Sequence, residues 1–120
     1  MTPDIGRPDE DAAYRFADQH VDSFAAWDLL VFLHNRPDTI EDGSGYAMLL
    51  GRSEDDLAVS LDRLVSTGSL TCVNDGIHQR FALTRDEKVR AELAAFVELC
   101  TVKECRLEIV RRVLAGYARD

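Results

Sequence analysis

The strongest constraint on this chain is a set of spaced residues between 47 and 83. At its centre the spacing predicts a helix over residues 53–67. Ser53 stands at the N-cap position, and Glu54-Asp55-Asp56 follow it, so Ser53 and Asp56 form a capping box with aspartate in place of the commoner glutamate. Leu57, Leu61, Leu64 and Val65 recur at three- and four-residue steps and make one buried stripe. Gly68 ends this helix and Gly51 ends the shorter one before it, because the residue after a last helical turn is often left-handed. Leu70-Thr71-Cys72-Val73, then Asn74-Asp75-Gly76, then residues 77–83 read as a hairpin, since Asn, Asp and Gly tolerate the positive φ angles of a tight reversal. Phe81 and Leu83 alternate with Arg80 and Ala82, as on a strand with one buried face.

The flanks extend this order. Residues 1–11 read as a disordered acidic leader, with two prolines and a glycine. A short helix over residues 9–19 rests on Tyr14, Ala17 and Val21. A firmer helix spans residues 23–35, capped by Asp22 or Ser23 and stopped by Pro37. Trp27, Leu30, Val31 and His34 form one of its faces, and Leu29, Phe32 and Leu33 add apolar surface on the other, so two-sided cover is expected. Thr39-Ile40-Glu41 is a very short strand, Asp42-Gly43-Ser44-Gly45 a flexible turn, and residues 46–50 the short second helix. From Asp86 the chain reads as one long helix, or two broken near Thr101. Val89, Leu93, Phe96, Cys100, Lys103, Leu107, Val110, Leu114 and Tyr117 keep a 4-3 spacing throughout. Residues 12–85 thus form a body, and 86–120 a helical segment of the same domain.

With 120 residues the chain is one domain, large enough to bury a core without disulfides. Its 22 acidic and 14 basic residues leave a net charge of −8, which repels nucleic acid and anionic membranes at long range. No apolar run approaches a membrane span, and the first twenty residues lack a signal region, so a cytoplasmic protein without membrane contact is expected. Three cysteines without a C-x-x-C point to part-buried thiols; neither a disulfide framework nor a zinc site is expected.

The pattern Ala47-x-x-Leu50-Gly51-x-Ser53-x-x-x-Leu57-x-x-x-Leu61-x-x-Leu64-x-x-x-Gly68-x-Leu70 resembles the helix-turn-helix core of bacterial winged-helix proteins of the MarR-like type. A small residue at Ala47 lets two helices cross, Gly51 turns the chain, and the leucines seat one helix on the other. Residues 27–34 and the tail from Val89 to Leu114 are similar to small bacterial winged-helix proteins with a long C-terminal helical segment. The resemblance implies a mainly α fold with a small antiparallel β-hairpin, a winged helix-turn-helix. It also implies a role in transcription regulation in which the 53–67 helix enters the DNA major groove.

That helix departs from the pattern in charge. The face expected to be exposed carries Glu54, Asp55, Asp56, Val59, Ser60, Asp62 and Arg63, whereas groove-reading helices present Arg, Lys, Asn or Gln to base edges. Acids at a helix start also complement the macrodipole without any functional role. The favoured expectation is a non-catalytic regulatory module, dimeric, meeting a basic protein partner through this face. The alternative is a DNA-binding regulator whose phosphate contacts come from Arg52, Arg63, His78, Arg80 and Arg85. A homodimer seam is expected at Leu107, Ile109, Val110, Val113, Leu114 and Tyr117, together with the helix over residues 23–35. Glu108 and Arg112, at i and i+4, would solvate the remaining side.

Catalysis and cofactors are not expected. His20, His34 and His78 are dispersed, and His34 reads as a packed or capping residue. The acids at 41–42 and 54–56 read as solvated rather than as a magnesium site. Ser44 between glycines lacks the strand that feeds a nucleophile elbow, and Cys72 reads as an inert strand thiol.

Overall fold

The computed structural model describes residues 10–74 and 76–118, with 117 and 118 entering only as helix backbone. Residues 1–9 of the expected leader lie outside that description. Glu10 and Asp11 do not belong to a disordered stretch: they open α1 (Glu10–His20), where two acids suit the positive helix end. Ala13, Phe16, Ala17 and His20 are the buried residues of α1.

α2 (Phe24–Asn35) begins at Ser23, whose Oγ accepts the Ala26 N–H at 3.0 Å. Ala25, Ala26, Leu29, Leu30 and Leu33 are buried, and α2 packs against α4 (Glu54–Thr67) and α5 (Glu87–Leu99). The two-sided cover is present, but the face differs from the expected one. Leu30 is buried, whereas Trp27, Val31 and His34 are only partly covered.

α3 (Gly43–Leu50) starts three residues earlier than its apolar pattern indicates. The Asp42 carboxylate accepts the Gly45 N–H at 2.8 Å and recruits Gly43-Ser44-Gly45 into the first turn, so this segment is helix and not a flexible turn. Gly51 then takes a left-handed conformation at φ 68° and closes α3, and Ser53 caps α4 by accepting the Asp56 N–H at 3.1 Å. Gly68, at φ 92°, ends α4.

The strands β1 (Ile40–Glu41), β2 (Leu70–Asn74) and β3 (Gln79–Leu83) form one antiparallel sheet in the order β1-β3-β2. Ile40 pairs with Ala82 across one edge of β3, and Leu70 with Leu83 across the other. Asn74 Oδ1 accepts the Gly76 N–H at 2.9 Å, so the asparagine side chain helps to close the reversal. The buried Tyr46 hydroxyl donates to the Phe81 carbonyl at 2.7 Å and ties α3 to the central strand.

The C-terminal segment is two helices, α5 and α6 (Lys103–Ala118). Thr101 Oγ1 donates to the Glu98 carbonyl at 2.7 Å, a local bond that competes with helix continuation. The 4-3 stripe holds through α5, where Leu93 and Phe96 are buried, and fails beyond the break. α6 rests instead on Cys105, Ile109 and Val113, at steps of four, with α1 as its main support. The molecule is therefore mainly helical, with a small three-stranded sheet at one side.

Candidate interaction surface

The outward side of α4 forms the candidate surface. Glu54, Asp55, Asp56 and Asp62 are all exposed, and Val59 stands among them at 67% exposure. Ser60 does not belong there: it is only 4% exposed, and its hydroxyl lies 3.1 Å from that of Ser23. It shares the buried side with Leu57, Leu61 and Leu64, where a small residue admits the start of α2.

Two of the expected phosphate-contacting arginines are already engaged. Arg63 Nε meets the Asp22 carboxylate at 2.9 Å, and Arg52 reaches Asp28 through Nε at 2.9 Å and Nη2 at 2.6 Å. Neither pair is buried, so each contributes at most about 1 kcal/mol to stability, but both offset positive charge that DNA would need. His78, Arg80 and Arg85 are exposed on or just after the hairpin. They lie apart from the groove that Arg52 and Arg63 help to line.

That groove has a volume of about 1020 Å³ and runs between α4 and α6 over the end of α1. Asp56, Val59 and Arg63 line one wall, Arg112, Val113 and Gly116 the other, with Val21 and Phe24 among the apolar residues between them. Arg112 is its best-anchored cation, bonded to Glu108 at 2.9 Å and Asp18 at 2.8 Å and lying 4.5 Å from the Tyr14 ring centre. The i, i+4 spacing exposes the Glu108 pair in the sequence; the Asp18 and Tyr14 contacts arise only when α6 lies along α1. Arg111 and Arg112 together hold the Glu108 carboxyl down to about 2, chiefly through their hydrogen bonds.

The expected dimer seam divides. Ile109 and Val113 are 0% and 2% exposed and belong to this chain's own core, because the break at 100–102 turns them toward α1. Leu107 and Leu114, 56% and 50% exposed, remain on the outer side, with Val110 partly covered. Nothing is described of the Tyr117 side chain.

Two groups escaped the sequence reading. His20, dispersed from the other histidines, is a buried link between helices: its Nδ1 lies 2.7 Å from Thr67 Oγ1, and its ring lies tilted against Phe16 with centres 4.5 Å apart. Thr67 Oγ1 donates to the Leu64 carbonyl, so the imidazole N–H donates to Thr67. Burial lowers the His20 pKa below its ordinary 6.5, and Glu92 opposes that shift. Cys72 departs from the expectation of part-buried thiols: it is exposed, because Thr71 to Asn74 on β2 face solvent. Cys100 is partly covered, and burial pushes its thiol up to about 11; Cys105 is buried. Among the described residues no cluster of His, Cys, Asp or Glu could hold a metal ion, and no helix is long and apolar enough to cross a membrane.

Compared with protein-family models, curated proteins and solved structures, the chain matches none.

Proposed function

We propose that this chain is a non-catalytic regulatory module on a winged helix-turn-helix scaffold, dimeric, which docks a basic protein segment on its acidic α4 face. The scaffold reading is supported by element order: α2, β1, α3, α4 and the β2–β3 hairpin follow one another, and β3 lies between β1 and β2. In that arrangement α4 occupies the position of a recognition helix. The observation that carries the function is the charge of its outer side. Glu54, Asp55, Asp56 and Asp62 project outward, while Arg52 and Arg63 are held by Asp28 and Asp22. A phosphate backbone would be repelled from such a face, whereas a helix bearing lysine or arginine beside leucine would find both its charges and an apolar contact at Val59.

DNA binding is the second reading, favoured by His78, Arg80 and Arg85 exposed around the hairpin. Titration with mixed-sequence duplex DNA at low and at physiological salt separates the two. Weak or absent binding at both is expected; micromolar affinity that collapses as salt rises would overturn the protein-docking reading, since that slope counts displaced counterions. In parallel, a synthetic amphipathic peptide with alternating Lys and Leu turns is expected to bind wild type and to lose about tenfold or more against the Asp55→Lys, Asp62→Lys variant.

A further inference from the structure

The sheet protects one of its edges and leaves the other open. β1 is two residues long and carries Glu41, and both features discourage a further strand. β2 is the opposite edge, five residues from Leu70 to Asn74, and no strand lies beyond it among the described residues. Edge strands are commonly guarded by charge, proline or a bulge. Leu70-Thr71-Cys72-Val73-Asn74 has no charged residue and no proline. Its register with β3 runs unbroken from the Leu70–Leu83 pair to the Asn74–Gln79 pair, so it has no bulge either. Thr71 to Asn74 are all exposed, and the groove beside α4 does not reach them.

One contact fixes the direction of the backbone groups. The Thr84 N–H donates to the Ser69 carbonyl at 2.9 Å, and along an antiparallel ladder bonded and unbonded pairs alternate. Thr71 and Val73 therefore turn their N–H and carbonyl groups toward β3, whereas Cys72 and Asn74 turn theirs outward along the open edge. Side chains alternate across the pleat. Thr71 and Val73 share the outer face of the sheet with Ala82 and Ile40, and Val73 is 45% exposed there. On the exposed part of β2 the outward backbone groups thus lie symmetrically about Val73, one residue before it and one after. An antiparallel copy of the same strand meets them in register.

We propose that a second copy of this chain adds its own β2 to this edge, antiparallel and centred on Val73, so that two three-stranded sheets join into one. Cys72 of each copy exchanges both main-chain bonds with the partner's Asn74, and Val73 faces the partner's Val73 as a close, unbonded pair. β-Branched side chains suit such a cross-strand contact. Charge argues for a second copy at this place. Each chain carries −8 overall with 30% of its residues charged, and β2 brings no charged side chain to the seam, so two like-charged molecules meet where they repel least. The two-fold also leaves the bodies at opposite ends of the joint sheet, because the strands overlap only toward the hairpin turn. Strand addition of this kind takes its affinity from main-chain bonds. The α4 face stays open to its own partner, and the inference rests on the proposed function only for the statement that the chain is dimeric.

Sedimentation velocity at tens of micromolar tests it with full-length protein. Wild type is expected to be a dimer. Val73→Lys sets two ammonium groups face to face and is expected to weaken self-association roughly tenfold or more, while circular dichroism shows the fold intact. Thiols test the register. In a Cys72→Ser background treated with diamide, Val73→Cys is expected to form an intermolecular disulfide roughly tenfold faster than Thr71→Cys, because unbonded pairs bring Cα atoms to about 4.5 Å, within disulfide reach. Thr71 lies well away from its counterpart in this register, and the Cys72→Ser background alone is expected to stay uncrosslinked. Equal rates at the two positions overturn the proposal. A dimer that survives Val73→Lys but dissociates with Leu107→Asp and Leu114→Asp places the seam on α6; it overturns this inference and leaves the proposed function standing. A monomeric wild type overturns both the inference and the dimeric part of that function, leaving the edge to an extended segment of another protein. Binding of the Lys–Leu peptide to α4 is then read separately.

Discussion

Single residues decide how tightly the helices are tied to one another. Tyr46 is fully buried, and its hydroxyl bond to the Phe81 carbonyl is the polar link between α3 and the sheet. Tyr46→Phe removes that bond without opening a cavity, so chemical denaturation is expected to show a loss of about 1–2 kcal/mol at unchanged m-value. His20 makes the fold sensitive to acid. Its pKa is lowered by burial in the folded chain and ordinary in the unfolded one, so below pH 6.5 the unfolded state takes up the proton first. Stability is therefore flat in this group above neutrality and falls as pH drops through 6.5 toward the lowered folded value. His20→Gln is expected to flatten that part of the stability–pH curve, which thermal melts between pH 7.5 and pH 5 would read (roughly the histidine titration range). None of this is visible in the sequence, where His20 is one polar residue at the end of a weakly patterned helix.

At the scale of elements, caps and turns follow from local chemistry, and the helix faces only partly do. Ser53 caps α4, Gly51 and Gly68 take the left-handed positions, and Asn74 closes the hairpin, because each uses bonds within a few residues. Ser53→Ala is expected to lower the unfolding free energy by about 1 kcal/mol. α6 is the counterexample. Its sequence carries two apolar lines, Leu107–Val110–Leu114 and Cys105–Ile109–Val113, and continuity with α5 favours the first. The three-residue break resets the helical phase, and the second line faces α1. Ile109→Ala is accordingly expected to cost about 2–5 kcal/mol in denaturant melts, whereas Leu107→Ala should change the dilute protein by about 0.5 kcal/mol or less. Equal losses at the two positions would contradict this orientation of α6.

The described residues span 56 × 32 × 22 Å, and α6 is a helix supported chiefly by α1. Helices this long gain most of their stability from packing, so α6 should open before α2, which is covered on several sides. Hydrogen exchange is expected to be faster in α6 than in α2 in dilute solution.

The sequence by itself determined the order of elements, most of their ends, the Leu57–Leu61–Leu64 anchor and the acidic outer side of α4. These depend on spacing, propensity and charge along a single segment. Tertiary structure alone decided that Ser60 turns inward to Ser23, that Arg63 and Arg52 are held by Asp22 and Asp28, and that His20 joins α1 to α4. It also decided which apolar line of α6 is core and which remains available. The physical reason is the same in each case: these partners are brought together by helix packing between segments far apart in the chain, and one-dimensional periodicity carries no information about the rotation of one helix against another.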